Sequence, residues 1–305
     1  MLAPTPTLSA TPAPTPSGTR PSLTTGGTIN ATGFTYTGPI TLSRPTNLIG
    51  ATINAPAGQP GIIVTSDSVT IDRVTVIGTG GRVYHGSEAG ITTRGAAGVI
   101  RGLVIRNSHL SKLGYGGMWL QNVENALVEA NTVEDVVYTG IMFLSARGGT
   151  IANNDVRRVG VYGASANSNN AYGIGISNQS PGDLISTDVM VRDNLVEDVP
   201  TWHAYDTHGG ARISFVRNTA KRSRHGIFIT GGSGIGGNGR SVDVVTDGNL
   251  IYAPAGADQY AIVYVYSTGG TVTRNQTFGW KAGHGLLTVA TRDLVSVAQG
   301  LVERD

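Results

Sequence analysis

Cysteine is absent from all 305 residues, which excludes disulfides and thiolate chemistry. Charge is scarce as well: charged residues make up 14% of the chain and the net charge is +2. With no basic run and no aromatic platform, that balance argues against nucleic acid as a partner. No apolar run is long enough to cross a bilayer. Helical periodicity is missing from end to end. The amino end lacks the charged and apolar regions of a secretory signal. The expectation is a protein that stays in the producing cell, or leaves it by lysis or packaging, with a virion placed ahead of secretion. Lysine is nearly absent, so 19 of the 22 basic residues are Arg. A GC-rich genome accounts for this bias, and so do Arg forks that grip carboxylate-bearing sugars.

What is present is glycine, 44 residues of it, and a repeat. Asn107, Asn131, Asn154, Asn194, Asn218, Asn249 and Asn275 each close a similar phrase, such as VIRN, VEAN or VTRN. Their spacings are 24, 23, 40, 24, 31 and 26 residues. A small residue followed by an apolar one trails each Asn: Gly117, Gly140, Gly173, Ala204, Gly226, Ala261 and Gly285. A base period near 23, with short β-branched runs between Gly, Asn and Ser, indicates coils of three strands and three turns. Stacked coils pair their strands in parallel about 4.8 Å apart. The fold expected is all-β, a parallel β-helix of about ten coils over residues 27–305. Residues 1–26, rich in Pro and Thr, read as an extended arm held by another virion or assembly protein.

Alternation assigns the faces. Val104, Val128, Ile151, Val191, Phe215, Thr246 and Val272, three before each Asn, are expected inward. So are Met118, Ile141, Ile174, Tyr205, Ile227, Ile262 and Leu286. The Asn column itself reads as a ladder of amides at a left-handed turn. The longer steps mark loops at 160–172, 178–187, 231–239 and 253–258. Loops leaving a solenoid commonly build its binding face.

The outward row of the strand after the small residue is mostly apolar, including Trp119, Met142, Phe228 and Val263. A stripe of that kind requires a cover, and a homotrimer bundled along the helix is the expected one. Asp206 and His208 interrupt it. The bend before that strand carries Tyr172, His203, His225 and His284 in one column, beside Trp202 and Arg224. One reading of this column is a stacked polar-aromatic turn. The other is a catalytic group of Asp206, His208, His203, His225 and Arg224, with Tyr172, Trp202, Phe228 and Trp119 binding substrate. Such a set removes a proton alpha to a uronate carboxylate while a cation offsets the growing enolate charge. No cofactor is expected and no metal is assigned. A His-x-x-Asp-x-His ion site is conceivable, with its geometry left open by the bend between His203 and Asp206.

The segment HAYDTH, His203 to His208, resembles the YGFDPH-type segment of bacterial mannuronan C5-epimerases and related β-helix alginate lyases. The resemblance implies a right-handed, pectin-lyase-like helix acting on an acidic polysaccharide. It gives Asp206 the uronate carboxylate and His208 a share of the acid–base work, with His203 standing at the family's Tyr position. The family's next-coil Asp is Thr230 here. The Asp-Thr-His-Gly-Gly variant is also similar to β-helix proteins of phage tails. The functions that follow as expectations are a tail-like protein that binds and cleaves or epimerises a surface glycan, a non-catalytic structural or receptor-binding virion protein, a free polysaccharide lyase or epimerase, and a plain adhesin-like solenoid.

Overall fold

The computed structural model describes residues 18–80, 83–161, 170–178, 184–231, 239–292 and 301–304. Every strand pairing among them is parallel, in three long sheets of 10, 11 and 10 strands and two short sheets of 2. One coil shows the plan. Leu127–Glu129 lies in the first sheet, Thr132–Val136 in the second and Thr139–Leu144 in the third. Each pairs with the equivalent strand of the coils before and after it, so the chain winds as a solenoid. The expected β-helix is the fold. The loop expected at 253–258 is a described turn, while 160–172 and 231–239 lie mostly, and 178–187 by half, outside the described residues, as do arm residues 1–17. The arm's last part joins the fold: Leu23 is buried in the core, and the Tyr36 hydroxyl donates to the Pro21 carbonyl.

The asparagine ladder is real and starts one coil later than the phrases suggest. Register pairs Ile105 with Val128, which places Ser108, not Asn107, beneath Asn131. Ile105 is accordingly the buried residue of its coil and Val104 is only half-buried. The six remaining asparagines form the ladder. Asn154 shows the wiring: its backbone N–H and its Nδ2 both donate to Asn194 Oδ1, at 2.9 Å each, and Nδ2 also reaches the Val128 carbonyl. The left-handed residue is the one before each Asn: Ala130, Asn153, Asp193, Arg217, Gly248 and Arg274 all have φ between 51° and 65°. Thus the turn strain and the buried amide sit on neighbouring residues.

The small-residue column has a steric cause. A Cβ at Gly140 would lie 2.4 Å from Val156 Cγ1 and 2.5 Å from the Gly173 carbonyl oxygen. Gly117 and Gly173 face Val133 and Val196 in the same way. Register then places Ala220 in the row of those valines, and the small position of the coil before it holds Ala204. Small and large therefore trade places along two adjacent rows.

The arginine excess also has a structural use. Arg212, Arg217 and Arg222 each fork onto an Asp of the preceding coil: Asp188, Asp193 and Asp198. All six residues have φ between 51° and 60°. Each fork draws its aspartate pKa or its arginine pKa toward the charged form, as at Asp188, Asp193 and Arg222. These arginines grip the chain's own carboxylates and are not offered to a sugar.

The outward stripe differs from expectation in its cover. Trp119, Met142 and Val263 are 3%, 4% and 1% exposed within the single chain. Tyr115, Tyr138 and Tyr172 pack with Trp119 and Met142 in a second apolar cluster outside the helix core. That cluster covers Trp119 and Met142 within one chain, while Phe228 stays half-buried.

Candidate active site

Asp206 stands on the outward face of the strand His203–His208, yet it is fully buried. Its Oδ1 takes two rings. His203 Nδ1 lies 2.8 Å away, and His208 Nε2 lies 3.3 Å away. The chain folds this way because Asp and His two apart share one face, while the bend at His203 turns that ring back over the same strand. Asp206 Oδ2 and His203 Nε2 are buried and find no hydrogen-bond partner among the described residues. Burial alone would raise the Asp206 carboxyl, and the two histidines more than offset it, holding it at about 2. Burial pulls His203 down to about 4 against the opposing pull of Asp206. At His208 burial is outweighed by Asp206, and the imidazole is raised. Near neutral pH the carboxylate is therefore charged and His203 neutral. Its Nδ1–H donates to Asp206, which leaves Nε2 as a lone pair.

His203 is clamped between two rings. Phe228, one coil on, stacks on it at 4.0 Å with a 9° tilt, and Trp202 stacks at 4.8 Å. Both were expected to hold sugar; their His203-facing sides are occupied by packing instead. The edge of Tyr172 meets His203 at 5.8 Å and His208 at 5.9 Å. Burial first, and then the Asp206 charge, push the Tyr172 hydroxyl well above its ordinary range, so it stays protonated.

Other expected members stand apart from the carboxylate. His225 Nδ1 bonds the Tyr260 carbonyl at 3.0 Å, and its ring meets His203 edge-on at 5.3 Å. Arg224 lies over Trp202 at 5.1 Å. Trp119 is in register with Met142, Gly175 and then Asp206, three coils away. Thr230 is paired with His208, so that row supplies no second carboxylate. Of the expected column, His203 is the residue that contacts Asp206.

The bend does not separate the ligand atoms of His203, Asp206 and His208, which lie within 4.8 Å of one another. Two imidazoles and a carboxylate are a donor set suited to zinc or a related ion. Among the three, His208 alone keeps appreciable side-chain exposure, 12% against 1% for each of the others. The sequence reading also missed Glu88, a wholly buried carboxylate that accepts from the backbone N–H groups of Gly58, Thr79 and Gly114. Its only sequence signal was an acidic residue just ahead of an apolar run.

The sequence of residues 60–241 matches the family described as right handed beta helix region. No curated protein sequence matches the chain. Among solved structures, the mannuronan C-5 epimerase A-module of Azotobacter vinelandii is similar at 11% identity and a TM-score of 0.51, over 90% of this chain and 88% of that one. The GH136 lacto-N-biosidase of Eubacterium ramulus is similar at 12% identity and a TM-score of 0.52, over 90% of this chain and 51% of that one. An alginate lyase of Paenibacillus sp. str. FPU-7 is 12% identical with a TM-score of 0.46, over 84% and 91%. At these identities the likeness is one of fold.

Proposed function

This chain belongs to the right-handed β-helix family, and from that premise we propose that it engages an acidic polysaccharide and moves a proton on it at Asp206 and His208. The observation that carries the reading is the Asp206 carboxylate, fully buried in an outward row otherwise of Trp119, Met142, Gly175, Phe228 and Val263, with two histidine nitrogens 2.8 and 3.3 Å from one oxygen. His208, the more exposed ring, takes the proton alpha to the uronate carboxylate. Asp206, ionised near neutral pH, stabilises the imidazolium that forms. His203 donates Nδ1–H and holds the carboxylate in place. Tyr172, kept protonated, is the complementary acid. Epimerisation returns a proton to the same carbon, whereas elimination expels the 4-linked sugar and leaves a double bond. The likeness in fold to the mannuronan C-5 epimerase A-module supports this substrate class.

The test is ultraviolet absorbance of unsaturated product from a panel of uronate polymers, comparing the parent with His208→Ala, each with and without a chelator. Product that depends on His208 supports the reading, and loss of product on chelation alone would assign the three ligand atoms to a metal instead. A second reading rests on the closure of the site, with His203 and Asp206 almost wholly covered. Under it the chain is a non-catalytic structural or receptor-binding virion protein, attached by its arm and assembled as a trimer. Light scattering tests the trimer, and a monomer rejects it.

A further inference from the structure

We propose that the cavity between Arg94, Tyr115 and Trp119 is a subsite for a carboxylate-bearing sugar ring, on the same face as Asp206. This rests on the polysaccharide reading above and specifies a second point of attachment. The cavity measures 170 Å³, far more than the roughly 15 Å³ that one water needs. Its walls include the two aromatic rings, Thr92 and Ser87. Rings of this kind offer an apolar face to the C–H face of a pyranose, and a guanidinium takes a carboxylate by a two-point fork.

Three observations separate this place from ordinary surface. First, Arg94 is exposed and makes no ion pair among the described residues. Its guanidinium lies 5.1 Å over Trp119 and 5.7 Å over Tyr115, within reach of the Tyr115 hydroxyl, and donates a long 3.4 Å hydrogen bond to the Gly86 carbonyl. Arg212, Arg217 and Arg222, by contrast, are already forked onto aspartates. Second, Trp119 Nε1 is a buried donor with no partner among the described residues. Such a donor is costly to leave unpaired. Third, Thr92 fixes the geometry: its hydroxyl donates to the Trp119 carbonyl and accepts the Arg94 backbone N–H, both at 3.0 Å.

Register sets the distance to the chemistry. Trp119, Met142, Gly175 and Asp206 are successive residues of one outward row. Three coil steps of about 4.8 Å separate the ends by about 14 Å, a span for a short oligosaccharide and not for a single ring. A glycan seated on Arg94 thus runs along the helix axis to His208.

The experiment is isothermal titration calorimetry with mannuronate, guluronate, galacturonate and glucuronate oligosaccharides, each paired with its carboxyl-reduced form. Parent, Arg94→Gln, Trp119→Phe and His208→Ala proteins are compared, with thermal melts confirming that each is folded. At least one uronate oligomer is expected to bind the parent, with Arg94→Gln weakening it by about tenfold or more. Carboxyl reduction should weaken the parent by a similar factor and Arg94→Gln by little further. Arg94→Gln binding as tightly as the parent overturns the subsite, as does a parent that binds no uronate oligomer. Binding that survives His208→Ala while the parent forms no product leaves the subsite standing and removes only the catalytic reading.

Discussion

His203 Nδ1 lies 2.8 Å from Asp206 Oδ1, and each side chain is about 1% exposed. That contact spends the carboxylate's Oδ1 on a neutral ring, and His208 shares the same oxygen. The charge of Asp206 therefore tunes His208 at short range. If His208 is the base, its raised pKa places the ascending limb of the pH–rate profile above the ordinary imidazole value of 6.5. Asp206→Asn, which keeps the shape and removes the charge, should move that limb to lower pH and reduce the rate by about 10²-fold or more. Initial rates across pH for both proteins check this.

Stability should carry a separate signature. The folded state holds His203 at about 4, below its ordinary 6.5, so folding favours its neutral form. That contribution is present above 6.5 and lost as pH falls through 6.5 toward 4. His225 is lowered too and acts in the same direction. His208 is raised and acts oppositely, its contribution fading as pH rises through its folded value. The Asp188, Asp193 and Asp247 pKa values are lowered by their arginines, and their contributions fade only at more acidic pH, below 3.8. Urea melts at intervals between pH 7 and pH 4 should show a loss of stability that His203→Asn makes shallower.

The small-residue column predicts a pair of steric effects. Gly140→Ala drives a methyl onto Val156 and the Gly173 carbonyl, at a cost of about 1–3 kcal/mol. Ala220→Val should also destabilise, because the Ala204 methyl occupies the space that glycine leaves elsewhere. Combining Ala220→Val with Ala204→Gly should recover part of the loss, read from denaturant midpoints.

The ladder predicts a larger penalty. Asn194→Ala strips the Asn154 backbone N–H and Nδ2 of their acceptor in a buried turn. Nδ2 keeps the Val128 and Ala152 carbonyls, but the orphaned backbone N–H costs about 1–3 kcal/mol, so the loss should exceed that of an exposed Arg217→Ala. Thermal and urea unfolding of both variants decide this.

The coil plan was legible because backbone pairing repeats each inward row, so Ile141, Ile174 and Tyr205 align in space as they do in sequence. The ladder's first rung was misread because Asn107 occupies the left-handed position ahead of Ser108, and an asparagine suits either place. Asp206 and His208 were legible from alternation. The closure of His203 was not, since stacking by Phe228 depends on a ring from the next coil turning toward the bend. The stripe's own cover was equally hidden: Tyr115, Tyr138 and Tyr172 lie at bends, where period two no longer reports direction. Arginine usage had a local answer, the Asp forks of adjacent coils, that composition alone does not contain.

The central claim is proton transfer at the Asp206–His208 pair, and the most direct measurement is solvent isotope exchange. Uronate polymers are incubated with the protein in deuterium oxide and the carbon alpha to the carboxylate is read by proton NMR. Deuterium at that carbon, or an unsaturated ring formed from it, is expected for at least one polymer. Asp206→Asn and His208→Ala should each slow it by about 10²-fold or more. No exchange and no elimination with any uronate polymer, from a folded parent protein, would contradict the claim.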